Sequence, residues 1–96
     1  MARIVMKFGG TSVADLDRIA NAAERVRREV EAGNEVIVTV SAMAGVTNQL
    51  VGYVDQTSKM YDAREYDTIV SSGEQVTAGL MALTLQLLEQ FLLDIH

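Results

Sequence analysis

Lys7, Gly9, Gly10, Thr11 and Ser12 place a cation, two glycines and two hydroxyls within six residues. An apolar run, Ile4-Val5-Met6, leads into them, and a helical pattern follows directly. A strand that ends this way and then opens a helix is suited to holding phosphate. Glycine lets a backbone come close to a ligand and admits φ > 0. A helix start offers unpaired N–H groups and a partial positive charge. In such a site Lys7 neutralises charge moving between a transferred phosphoryl group and its leaving group, while the N–H groups of Gly9 and Gly10 hold phosphate oxygens. A plain strand-to-helix turn also asks for glycine, so the stretch alone leaves both readings open. Neither G-x-x-x-x-G-K-[ST] nor G-x-G-x-x-G is present.

Two further places carry candidate chemistry. Ser41 and Thr47 lie in a loop of small residues, Ser-Ala-Met-Ala-Gly-Val-Thr, after a second β-branched run. Their hydroxyls suit a phosphate or a polar substrate group, and equally a local turn or helix cap. Glu74 follows Gly73 where a helix is expected to begin. Its carboxylate suits a substrate ammonium group, or simply complements the helix dipole. Asp15, Asp17, Asp55, Asp62 and Asp67 show no metal-ligand spacing, and the single histidine, His96, is terminal; no metal site is expected.

These residues need elements to position them. Arg3–Phe8 reads as a buried strand. Residues 15–32 read as a helix, with Leu16, Ile19, Ala20, Ala23, Val26 and Val30 at helical spacing. Ser12 or Asp15 can cap its start, and Gly33-Asn34 ends it in a left-handed turn. Glu35–Val40 is a second strand. Strand, helix and strand in this order predict parallel pairing with a right-handed crossover. Parallel sheets bind their ligands at the carboxyl ends of the strands, where both loops fall. Helices are expected over residues 48–59 (Leu50, Val51 and Val54 inward) and 62–70. Ser71-Ser72-Gly73-Glu74 is expected to break the pattern and open a last helix to about Asp94. That helix is apolar on nearly every side, from Val76 through Leu80, Met81, Leu83, Leu85, Leu87, Leu88, Phe91, Leu92 and Leu93 to Ile95. Such a helix must be covered all round. Gln86, Glu89 and Gln90 interrupt it and argue against a membrane span, which leaves burial between layers or against another chain.

The bulk numbers fit one soluble domain. The chain has 96 residues, 49% hydrophobic and 22% charged, with net charge −5 and neither cysteine nor proline. The acidic balance and the lack of a basic stripe exclude a general nucleic-acid binder. Arg25, Arg27 and Arg28 cluster, but Glu24, Glu29 and Glu31 surround them, as on a solvated helix face. Without cysteine there is no disulfide framework, and without a signal-peptide pattern a cytoplasmic protein is the default.

Three motifs fall in a telling order: Lys7-Phe8-Gly9-Gly10-Thr11-Ser12-Val13, Val40-Ser41-Ala42-Met43-Ala44-Gly45-Val46-Thr47-Asn48, and Ser71-Ser72-Gly73-Glu74-Gln75-Val76. Together they resemble the amino-terminal part of bacterial aspartate kinases, in the amino acid kinase family, from about Met1 to Gln86. The resemblance implies transfer of the ATP γ-phosphoryl to the β-carboxylate of L-aspartate, the first step toward lysine, threonine and methionine. It implies ATP with Mg as cofactor, with the nucleotide-base and metal sites largely outside this chain. By the resemblance, Lys7 is the phosphate-bridging lysine and Gly9, Gly10, Thr11 and Ser12 form the phosphate-holding loop. Ser41 lies at the transfer point, Thr47 contacts aspartate, and Glu74 binds its amino group. The implied fold is a three-layer αβα fragment with a short parallel sheet and a long apolar C-terminal helix. Residues 1–96 are then a single partial domain, in which 87–96 is a helical extension without a family counterpart. Such a piece is expected to be weak or inactive alone, and the alternative is a non-catalytic α/β module that self-associates through its apolar helix. No nucleic acid or membrane partner is expected; a homo-oligomer is.

Overall fold

The structure, a computed structural model, describes residues 1–95, with side chains described for 1–89. Strand β1 (Arg3–Phe8) is followed by a 3-10 turn (Gly10–Val13), helix α1 (Leu16–Glu31), strand β2 (Glu35–Val40), helix α2 (Val46–Thr57) and helix α3 (Ala63–Ile95). β1 and β2 pair in parallel, Arg3 opposite Glu35 through to Phe8 opposite Val40. The expected strand–helix–strand unit is therefore present. Its boundaries follow from local chemistry. The Asp15 carboxylate accepts the Arg18 N–H at 2.8 Å and caps α1. Gly33, at φ 91°, ends it.

The pleat divides the sheet into two unlike faces. Met6, Phe8, Val36, Val38 and Val40 pack onto the core formed by Val13, Ile19, Ala22, Ala23 and Val26 with Met81 of α3. On the other face Val5, Lys7, Ile37 and Thr39 are exposed. β1 is thus half-buried rather than buried throughout, and the described residues supply two of the three expected layers. α1 shows further departures. α1, with 16 residues, extends about 24 Å, whereas each strand, with 6, covers about 20 Å. Leu16 and Val30, near the ends of α1, are exposed rather than core, and so is Ala20 within it.

α3 differs most from expectation. Residues 63–95 form one continuous helix, with no break at Ser71–Glu74. The Ser71 and Ser72 hydroxyls donate to the carbonyls of Thr68 and Ile69, one turn back, so they stay within the helix instead of ending it. Gly73 is not a stop but a place of contact. A Cβ there would lie 3.0 Å from Ala42 Cβ and 3.1 Å from Val46 Cγ1. At 33 residues α3 reaches about 50 Å and outruns the sheet. Val76, Leu83 and Leu87 are 57%, 64% and 70% exposed, so the apolar helix is only partly covered. The expected apolar positions Phe91, Leu92 and Leu93 fall outside the described side chains, and His96 lies outside the described residues. Among those residues no helix is long and apolar enough to cross a membrane.

The arginine cluster on α1 divides. Arg27 pairs with Glu24 and Glu31, and Arg28 lies 3.7 Å from Glu24. The hydrogen bond from Arg27 holds the Glu24 carboxyl below the usual carboxylate range. Arg25 forms no ion pair among the described residues.

The two glycines inside α3 make opposite predictions. A Cβ on Gly79 meets nothing within 4 Å, so Gly79→Ala should stabilise the chain by about 0.5–1 kcal/mol through helix propensity. Gly73→Ala should lose that gain and cost about 1 kcal/mol or more against Ala42. Urea unfolding of the two variants reads the difference in sign.

Candidate functional site

Lys7 stands one residue before the end of β1, opposite Thr39, with its side chain on the exposed face. Gly9 is extended, at φ −73° and ψ 174°. A Cβ at Gly9 would meet nothing within 4 Å. Gly10 sits against the second loop, where a Cβ would come within 3.3 Å of the Ala42 carbonyl oxygen. Neither glycine has positive φ. Close approach therefore asks for glycine at Gly10, whereas at Gly9, extended and beside open space, neither backbone nor packing requires it. The N–H groups of both make no backbone hydrogen bond among the described residues.

A 3-10 turn separates this stretch from α1. The Ser12 N–H donates to the Gly9 carbonyl at 3.0 Å, and Arg18 Nη1 donates to the Thr11 carbonyl at 2.9 Å. The α1 N-terminus is consequently not open to a ligand of the glycine loop, as its cap is the Asp15 carboxylate. The backbone donors left without a backbone hydrogen bond in this stretch, among the described residues, are those of Gly9, Gly10 and Thr11. Thr11 is exposed, and Ser12 lines a cleft on the α1 side.

The second loop is joined to the first by the backbone. The Ser41 N–H donates to the Phe8 carbonyl at 3.1 Å, which carries the parallel ladder one step past the strands. Ser41 is half-buried there, beside the start of the glycine stretch. Ala42 is buried, and the Val46 N–H donates to the Met43 carbonyl at 3.0 Å as the chain turns into α2. Gly45, at φ 83°, permits that turn. Thr47 is exposed in the first turn of α2.

Glu74 is exposed inside α3, more than two turns from its start. Its carboxylate therefore does not complement a helix N-terminus, and that explanation for an acid at this position falls away. Its neighbour Gly73 presses on Ala42, the same residue that Gly10 approaches from the other side. The three sequence motifs thus meet at Ala42, Gly10 against its backbone carbonyl and Gly73 against its side chain. Sequence reasoning missed Ala42, whose signal was its size between Ser41 and Gly45. It also missed Arg18, seven residues beyond the carbonyl that it holds, for which the sequence offers no signal. Among the described residues no group of three His, Cys, Asp or Glu is placed to hold a metal ion.

With this geometry in hand, comparison with known proteins is direct. Residues 2–92 match the amino acid kinase family. The chain is 54% identical over 89 residues to an aspartokinase of Rickettsia felis, covering 90% of this chain and 22% of that protein. It is 51% identical over 85 residues to an aspartokinase of Pseudomonas aeruginosa, covering 88% of this chain and 21% of that protein. The crystal structure of an aspartate kinase from Synechocystis superposes with a TM-score of 0.87 at 46% identity, over 91% of this chain and 15% of that one. The chain thus spans about a fifth of the length of the curated relatives it matches.

Proposed function

The chain belongs to the amino acid kinase family, and we propose that it supplies the phosphoryl-holding part of an aspartate kinase, which transfers the ATP γ-phosphoryl group to the β-carboxylate of L-aspartate. The observation that carries this reading is the meeting of Gly10, Ala42 and Gly73, which gathers the motifs at the carboxyl end of the sheet. The reaction brings two anions together: a carboxylate oxygen forms a bond to γ-phosphorus while the bond to the ADP oxygen breaks. Lys7 offsets the charge that passes to ADP, and the Gly9 and Gly10 N–H groups hold γ-phosphate oxygens without reorganising. Ser41, at the joint of the two loops, sits at the transfer point. Thr47 contacts aspartate, and Glu74 selects an amino acid by pairing with its ammonium group. Magnesium would arrive on the ATP phosphates. Cytoplasmic biosynthetic work follows from this reading.

A chain spanning about a fifth of its relatives carries only part of such a site, so turnover is proposed for a longer catalytic domain. Substituting these residues for the matching segment of the Rickettsia felis aspartokinase should preserve ATP- and aspartate-dependent hydroxamate formation. Adding Lys7→Ala to that chimaera should lower kcat by about 10²–10³-fold. The 96-residue chain alone should be far slower than the chimaera. A chimaera that folds and binds both substrates yet turns over equally well with Lys7→Ala would refute the role given to Lys7.

The exposed apolar side chains of α3 support a second reading, self-association of the isolated chain. Val76, Leu83 and Leu87, more than half exposed, favour a partner that covers them. Sedimentation should show a dimer or larger species at micromolar concentration, shifted toward monomer by Leu83→Lys with Leu87→Lys; a stable wild-type monomer would contradict it.

A further inference from the structure

On the α1 side of the glycine stretch lies a cleft of about 310 Å³, lined by Phe8, Ser12, Arg18, Asn21, Ala22 and Arg25. It is separate from the face that carries Lys7. Phe8 is buried toward the helices, whereas its neighbour Lys7 is exposed on the opposite face of β1. Of its lining, only Ser12 belongs to the phosphate-holding loop that the kinase resemblance implies.

Its chemistry is one-sided. Positions 18, 21 and 25 are spaced by three and four, which places them on one face of α1. That face presents two guanidinium groups with an amide between them, and Ser12 adds a hydroxyl. No carboxylate lines the cleft. In a chain of net charge −5 this is unusual: of its 8 lysines and arginines, Arg3, Arg27, Arg28 and Arg64 lie in ion pairs. Arg18 and Arg25 form none among the described residues.

Arg18 is also held in place. Its Nη1 donates to the Thr11 carbonyl at 2.9 Å. A guanidinium has five N–H donors, so this bond fixes the group while leaving most of its donors for a ligand. A fixed donor loses less entropy on binding. The fork of N–H groups matches phosphate and carboxylate oxygens. Arg18 and Arg25 lie about 10 Å apart along the helix axis, with side chains long enough to close on a ligand between them. Two such groups call for a ligand with at least two negative charges.

We propose that Ser12, Arg18, Asn21 and Arg25 form a second anion site, which takes a small multivalent oxyanion of the phosphate or polycarboxylate class on the back of the glycine stretch. Ser12 apart, this site shares no residue with the proposed kinase site. Because Arg18 bridges the ligand and the Thr11 carbonyl, occupancy is felt in the 3-10 turn.

Calorimetric titration of the 96-residue chain with pyrophosphate and, separately, with succinate tests the proposal, with sodium chloride at equal ionic strength as the control. Amide NMR locates the binding. At least one of the two probes should bind above the chloride control and shift Ser12, Arg18, Asn21 and Arg25. Binding of pyrophosphate alone identifies a phosphate-type ligand, and binding of both identifies a general oxyanion site. Arg25→Gln, at an exposed residue with no ion pair, should leave the circular dichroism unchanged and weaken binding by about tenfold or more. Lys7→Ala should leave the shifts at Arg18, Asn21 and Arg25 unchanged. Shifts no greater than with chloride would overturn the proposal. So would binding lost in Lys7→Ala but kept in Arg25→Gln, an outcome that would leave the kinase reading standing.

Discussion

Ala42 is the residue on which the arrangement depends. It is 4% exposed. Gly10 approaches its carbonyl from one side, and Gly73 approaches its Cβ from the other. Three segments distant in sequence meet there because none of them carries bulk at the point of contact. Close packing of this kind tolerates no added methylene without movement. A larger side chain at position 42 would push α3 away from the second loop at Gly73. Close approach thus accounts for glycine at positions 10 and 73 and for the small side chain at 42.

Much of this was legible in the sequence because it depends on short-range chemistry. The parallel strand pair, the Asp15 cap and the left-handed stop at Gly33 each follow from a few neighbouring residues. Ser71–Glu74 reads as a break because serine and glycine usually punctuate helices. Only tertiary structure shows that Gly73 is glycine for the sake of Ala42, and that the serines turn their hydroxyls back onto the helix. The 3-10 turn at Gly10–Val13 was equally hidden, and with it the fact that α1 keeps its N-terminus for Asp15. The candidate phosphate donors therefore narrow from a helix end to the N–H groups of Gly9, Gly10 and Thr11.

Periodicity also reported what is apolar without reporting what covers it. Val5 and Ile37 alternate correctly for a sheet with helices on both faces, yet among the described residues only one face is covered. α3 shows the same excess: its apolar surface is broader than the contact with α1 and α2 can hide. Both surfaces are consistent with a catalytic domain in which further layers pack on this unit, as the chain's share of its relatives' length suggests. The charged surface is more self-contained: Glu24, Arg27, Arg28 and Glu31 are matched within α1, while Arg18 and Arg25, unpaired among the described residues, gather in one cleft.

The central claim is that the glycine stretch and the Ser41 loop act as one phosphate-holding surface. Amide NMR of the chain titrated with magnesium-ATP tests it most directly. The account predicts saturable shifts at Gly9, Gly10 and Ser41 that titrate together and vanish in Lys7→Ala. Shifts absent from Gly9 and Gly10, or unchanged by Lys7→Ala, would contradict it.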